Sequence, residues 1–304
     1  MRSSSQFKLS KSFSALRDLS NEMRREFQRS PVSKRPFRHL RELPRWNFTC
    51  GLILAYCLIA FALAAGIYFS QGYHGLFIDL NHGGAFLGSE FWAQLTVLGD
   101  TRVALALLLI VIYRHPQLLS ATLIACLPTT LIIQLFKRTT EIARPSGFLD
   151  AELFHQTGKV LKMGSFPSGH SATAGVLFGL MILIAHTRTN KILLLSTLFL
   201  VALSRVMVGA HWPVDILVGS SIGLLCAVFA YWLSHKYRLC SAVSSQWSVV
   251  GLLIYAAISN LSSDSGYPQA HIGTVVLCFS ALAIYLAHFL GFQPDRRWAL
   301  GIAR

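Results

Sequence analysis

Long apolar runs alternate with short polar segments along most of this chain. We read the runs at about 48–70, 93–114, 117–136, 169–186, 192–209, 213–233, 246–262 and 272–291 as helices that cross a bilayer. A spanning helix needs roughly 20 predominantly apolar residues, and most of these runs supply them. Two are weaker. The second is cleanly apolar only from Val103 to Tyr113, with Asp100 and Arg102 just upstream, and the seventh ends in Asn260 and serines. The connections are short except for two segments, 71–92 and 137–167. No internal repeat is evident. The pattern predicts an all-α fold, a polytopic transmembrane helical bundle.

Composition agrees with that pattern. The chain of 304 residues is 53% hydrophobic and only 13% charged, against about 25% charged in soluble domains. Its net charge is +14, and twelve of its 27 basic residues precede residue 46. That distribution fits a cytoplasmic arm against anionic headgroups rather than a nucleic-acid face. Within the arm, Leu16, Leu19 and Met23 fall at helical spacing, which suits either a short surface helix or a disordered segment. The first apolar run begins near Phe48 and is too long for a signal h-region, so no cleaved leader is expected. Cys50, Cys57, Cys126, Cys226, Cys240 and Cys278 show no zinc spacing and mostly sit in apolar runs. They read as small hydrophobes.

Basic residues orient the bundle. With the N-terminus inside, the inner segments hold Arg114, Arg188, Lys191, Lys236, Arg238, Arg296, Arg297 and Arg304. The outer segments 71–99 and 263–271 hold no Lys or Arg. This is the positive-inside bias of short loops. The outer exceptions are Arg102 and a cluster of Lys137, Arg138, Arg144, Lys159, Lys162 and Arg205. Cations on the disfavoured side call for a functional reason.

Three segments supply one. They are Lys137 with Arg144-Pro145; Pro167-Ser168-Gly169-His170; and Ser204-Arg205 followed by His211-Trp212-Pro213-Val214-Asp215. Lys137 closes the third run, His170 opens the fourth, Arg205 nears the end of the fifth, and His211 and Asp215 open the sixth. All four ends face one side. Arg144 and Arg205 can fork onto phosphoryl oxygens while Lys137 acts as a point charge. Ser168 and Gly169 sit at a helix N-terminus, where free N–H groups favour an anion. Asp215 follows His211 by four residues, so its carboxylate can hold one ring nitrogen and leave the other as a nucleophile. His170 is then free to act as general acid.

Together these segments resemble the three-part signature of the type 2 phosphatidic acid phosphatase (PAP2) superfamily, which also includes soluble vanadium haloperoxidases. Every signature position is matched, over roughly residues 95–235. The resemblance implies a phosphohistidine on His211, oriented by Asp215, with His170 as acid and then base. It implies phosphate contacts from Lys137, Arg144, Ser168, Gly169 and Arg205, with no metal and no cofactor. The organisation expected is a basic cytoplasmic arm over 1–46, a catalytic core of six helices over 47–235 and additional C-terminal helices over 236–304.

The implied function is hydrolysis of a lipid phosphate or diphosphate at the outer face of a bacterial-type inner membrane. Undecaprenyl diphosphate, phosphatidylglycerophosphate, phosphatidate and lipid A phosphates are the candidates. The partners expected are the lipid substrate and membrane lipids, with no nucleic acid. A lipid phosphotransferase would use the same residues and differs in replacing water by a second lipid. A haloperoxidase conflicts with the apolar runs, and a non-catalytic lipid-binding protein conflicts with the intact signature. Asp100 and Arg102 either touch the headgroup or pair with each other. His74, His82 and His155 read as structural. Tyr73, Phe77, Phe91 and Trp92 read as an interfacial aromatic belt.

Overall fold

The computed structural model describes residues 48–112, 114–115, 117–237 and 243–289. The basic arm, Cys240 and the C-terminal tail lie outside the described residues. The chain divides into two units, Met1–Arg41 and Glu42–Arg304, and the described residues belong to the second.

The described residues are helical with no strand. The first long helix, α1, is Phe48–Gln71. Two short helices follow, α2 at Phe77–Gly84 and α3 at Ser89–Thr96. Then come α4 at Thr101–Ile112, α5 at Gln117–Thr140, α6 at Gly169–Ile184 and α7 at Arg188–Met207. The last three are α8 at Pro213–Tyr237, α9 at Val243–Ser259 and α10 at His271–Phe289.

By length and composition, α1, α5, α7, α8 and α10 can each cross a membrane. The outward faces of these helices are apolar: Leu58, Phe69, Leu127, Leu135 and Phe279 are all exposed. A soluble protein seldom exposes so continuous an apolar surface, whereas lipid covers it without cost. Helices α6 and α9 are shorter, with 16 and 17 residues. At 1.5 Å per residue each reaches about 25 Å.

The second expected span is not one straight helix. Ser89–Gly99 and Thr101–Ile112 meet at a bend of 70°. The cause is Asp100. Its backbone is extended, and its carboxylate accepts from Arg102 N at 2.8 Å and Val103 N at 3.4 Å. An aspartate in this N-cap position starts a new helix rather than continuing the old one. Arg102 Nε lies 3.6 Å from the same carboxylate, so the two residues pair with each other.

Helices α6 and α8 form the closest pair, through glycines four apart on each. A Cβ at Gly223 would lie 2.0 Å from Ala172 O, and one at Gly175 would lie 2.5 Å from Ser220 O. A Cβ at Gly219 would lie 2.5 Å from Ser168 O. Small residues at such crossings let backbones meet where no hydrophobic drive separates helix from lipid. The consequence is positional. Ser168, at the head of α6, is pressed against the first turns of α8, and its N–H donates to Asp215 O at 3.1 Å.

Candidate active site

Each of the converging segments ends for a local reason. Helix α5 stops where Glu141 takes a left-handed conformation, φ 45°. Such a residue closes a helix and turns the chain. Arg144 follows with extended backbone, and Pro145 opens a single helical turn. Helix α7 stops at Met207, and Gly209 has φ +72°. A Cβ there would meet His155 O at 2.7 Å, so glycine is required on two counts. Ala210 N and His211 N then fold back onto Arg205 O, at 2.9 and 3.2 Å. This closure brings the five-residue spacer between Arg205 and His211 to a tight turn. At the head of α6, Ser168 Oγ accepts from Ser171 N at 3.3 Å and from Ser171 Oγ at 2.9 Å, as an N-cap does.

His211 is buried at 1% exposure. Its Nδ1 lies 3.1 Å from Asp215 Oδ2 and 3.5 Å from Ser165 Oγ. Burial first, then the positive fields of Arg144, Arg205, Lys137 and His170, hold the His211 imidazole well below the ordinary histidine range. The ring is therefore neutral. Its contact with Asp215 is a hydrogen bond from Nδ1–H, which leaves the lone pair on Nε2.

Asp215, at 0% exposure, is fully satisfied. Oδ2 accepts from Ser165 Oγ at 2.5 Å and Trp212 N at 3.1 Å as well as from His211. Oδ1 accepts from the Tyr73 hydroxyl. A carboxylate held by four donors has little freedom to swing, and neither does the imidazole it holds. Trp212 braces the turn, donating Nε1–H to Ala143 O at 2.8 Å.

The arginines are tethered on one side and free on the other. Arg144 donates Nε–H to Met163 O at 3.2 Å, Nη1–H to Ala210 O at 3.1 Å and Nη2–H to Gly164 O at 3.4 Å. These bonds commit three of the five donors of a guanidinium. A guanidinium keeps its charge at neutral pH, so Arg144 is a cation here. Arg205 donates from Nη1 to Thr96 Oγ1 at 2.7 Å and to Tyr267 Oη at 2.5 Å. Its Nε is buried without a partner, and so is His170 Nε2. Lys137, half-buried in the last turn of α5, interacts with Arg144, Asp215 and Arg205.

Three cations face one carboxylate here, so two positive charges lack a protein partner. Together with the orphaned donors, this arrangement fits a small dianion. All eight residues singled out from the sequence come to this end of the bundle. Arg138, Lys159 and Lys162 do not join them and are exposed.

Sequence reasoning missed Tyr73, Ser165, Thr96 and Tyr267. Ser165 lies three residues before Ser168, close enough to the motif to have been questioned. The others carry no local signal. The aromatic belt also needs correction. Tyr73 bonds to Asp215, and Phe77 is 1% exposed with its ring 4.9 Å from that of Trp212. Trp92 is buried and donates to Gly84 O at 2.7 Å. Of the four, only Phe91 is exposed. His74 packs on Trp212 and Phe148, and His82 Nε2 lies 3.0 Å from Leu153 O, as structural histidines would.

A bundle of lipid-length apolar helices, with two histidines, an aspartate and three cations gathered at one end, marks a multi-pass membrane protein. Residues 117–239 match the PAP2 superfamily. Over 95 residues the chain is 35% identical to a lipid A 1-phosphatase of Rhizobium etli, covering 31% of this chain and 40% of the relative. Over 103 residues it is 36% identical to the bacitracin transport permease protein BcrC of Bacillus licheniformis, covering 33% of this chain and 48% of the relative. The chain thus spans less than half the length of these curated relatives. The crystal structure of Aquifex aeolicus LpxE is similar at 26% identity and a TM-score of 0.45, covering 51% of this chain and 92% of that one.

Proposed function

We propose that the protein is an integral-membrane lipid phosphatase working through a phosphohistidine on His211. One observation carries the reading. A neutral His211, fixed through Nδ1 by Asp215, sits among Lys137, Arg144 and Arg205, with His170 Nε2 buried and unpartnered nearby. The names of the relatives, a lipid A 1-phosphatase among them, support a phosphorylated lipid as substrate.

The chemistry follows from that arrangement. His211 Nε2 attacks phosphorus as the bond to the lipid oxygen breaks. Nδ1 keeps its proton on Asp215, which stabilises the cationic phosphohistidine. His170 protonates the departing oxygen, since a bound dianion offsets the surrounding positive charge and favours the proton His170 must donate. Arg144, Arg205, Lys137 and the N–H groups at the head of α6, by Ser168 and Gly169, hold the three phosphoryl oxygens. Water then attacks the phosphohistidine, with His170 taking its proton, and inorganic phosphate leaves.

We place the site on the outer face of a bacterial inner membrane, from the charge asymmetry of the loops. Maleimide applied from outside should label a cysteine at position 155 and not one at 189, and the reverse pattern would invert the topology. The function itself is tested by phosphate release from a panel of lipid monophosphates and diphosphates in detergent micelles, run in ¹⁸O-water. Labelled phosphate is expected. Unlabelled phosphate on a second lipid would instead mark a phosphotransferase.

A further inference from the structure

The α9–α10 pair lies outside the stretch that matches the family, yet its outer loop reaches the site. We infer that Tyr267, on that loop, is a phosphate-contacting residue, so that the C-terminal helix pair completes the anion site. The inference rests on the phosphatase reading above.

The loop is held from both sides. Gly266 O accepts from Lys159 N at 3.0 Å, and Tyr267 N donates to Asp264 O at 2.8 Å. Arg102 Nη2 donates to Ser265 Oγ at 3.3 Å, which ties the loop to the start of α4. Gly158 (φ +80°) packs against the phenol ring so closely that a Cβ there would lie 2.5 Å from it. Tyr267 is 4% exposed, although it carries a polar hydroxyl.

That hydroxyl meets the site's cations. Its oxygen accepts from Arg205 Nη1 at 2.5 Å, and the guanidinium carbon lies 5.7 Å from the ring centroid. It is also within electrostatic reach of Arg144. An oxygen already accepting from a guanidinium points its own proton elsewhere. Among the described residues no acceptor takes that proton. Beside two arginines whose free donors await an anion, a phosphoryl oxygen is the acceptor the geometry provides for.

The competing account is that Tyr267 only props Arg205. Thr96 is the comparison that separates the two, because it too accepts from Arg205 Nη1 and props that side chain from the end of α3. Orthovanadate is the probe, measured as a competitive inhibitor and by calorimetric titration of the detergent-solubilised full chain. Tyr267→Phe keeps the ring and its packing. It is expected to weaken orthovanadate binding about tenfold, the loss of one charge-assisted hydrogen bond. Thr96→Val is expected to weaken it no more than about threefold, with melting temperatures close to wild type in both. Equal losses in the two variants, or a constant within twofold of wild type in Tyr267→Phe, would overturn the inference. Wild-type protein that binds no orthovanadate would do so too. Orthovanadate binding without phosphate release from any lipid would sink the phosphatase reading, while the ratio between the two variants would still decide the role of Tyr267.

Discussion

The stretch matched to the family and the elements on either side of it contribute to one site in different ways. Residues 117–239 carry Lys137, Arg144, His170, Arg205, His211 and Asp215, the groups able to attack, protonate or neutralise. The flanking elements bring hydroxyls. Tyr73 follows α1 and bonds to Asp215; Thr96 ends α3 and Tyr267 precedes α10, and both bond to Arg205. The reactive set is thus local to four helix ends, while its alignment depends on residues up to 142 positions away in the chain. If this division is real, substitutions inside the stretch should remove steps of the reaction. Substitutions in the flanks should slow it without changing its course.

The largest effect is expected at His211. His211→Ala removes the nucleophile, so no phosphoenzyme forms and activity should disappear with every substrate. The check is to trap radiolabelled phosphate on the protein under neutral or alkaline denaturation, because phosphohistidine is labile to acid. Label retained in the variant would place the nucleophile elsewhere.

His170→Ala should be less severe. General acid–base assistance is typically worth about 10²–10⁴-fold. The loss should shrink for an aryl phosphate, whose leaving oxygen needs little protonation, and the phosphoenzyme should still be trappable from it. An equal loss on alkyl and aryl substrates would deny His170 the acid role.

The contrast between the two regions also explains what could be read from the sequence. The helices were legible because lipid demands long apolar runs, and the convergence was legible because alternate loops share a side. The signature residues were legible because charge is conspicuous in such a sequence. Tyr73 was misread for the opposite reason. An aromatic residue near an interface is common, and nothing local distinguishes one that snorkels from one that bonds to a buried carboxylate. The 70° break at Asp100 was half legible: the charge interrupted the pattern, but N-capping geometry is what converts an interruption into a bend. Gly175, Gly219 and Gly223 carried no signal because a small residue in an apolar run looks inert until the partner helix is in place.

Tyr73→Phe sharpens the comparison from the flanking side. The variant keeps the ring, which packs at 6.3 Å from Phe166, and loses only the donor to Asp215. Asp215 retains Ser165 and Trp212, so the carboxylate stays buried and largely satisfied. The imidazole should then sample more orientations. We expect kcat to fall roughly tenfold with KM unchanged, since a hydrogen bond to a charged group contributes about 1.5–3 kcal/mol and only part of that is alignment. A rise in KM at constant kcat would show that Tyr73 serves binding instead.

The smallest effect concerns pH and stability. His211 is held neutral in the folded site by burial and by the neighbouring cations Arg144, Arg205 and Lys137, and its folded pKa lies well below the unfolded value, which is about 6.5. Between those two values the unfolded chain binds a proton that the folded chain does not. Stability therefore rises with pH through that window, and the contribution of His211 is lost as pH falls below about 6.5. Melting temperature in detergent should decline from pH 7 to pH 5, and His211→Gln should flatten part of that decline, because glutamine has nothing to protonate. Titrating groups remote from the site act equally in both proteins, so the difference between the two slopes reports His211 together with Asp215, to which it is bonded. Orthovanadate supplies the converse. A bound anion offsets the fields of Arg144, Arg205 and Lys137, allows the imidazole to keep a proton, and should bring the wild-type slope toward that of the variant. Identical slopes with and without orthovanadate would mean that the cations, although near His211, do not govern its protonation.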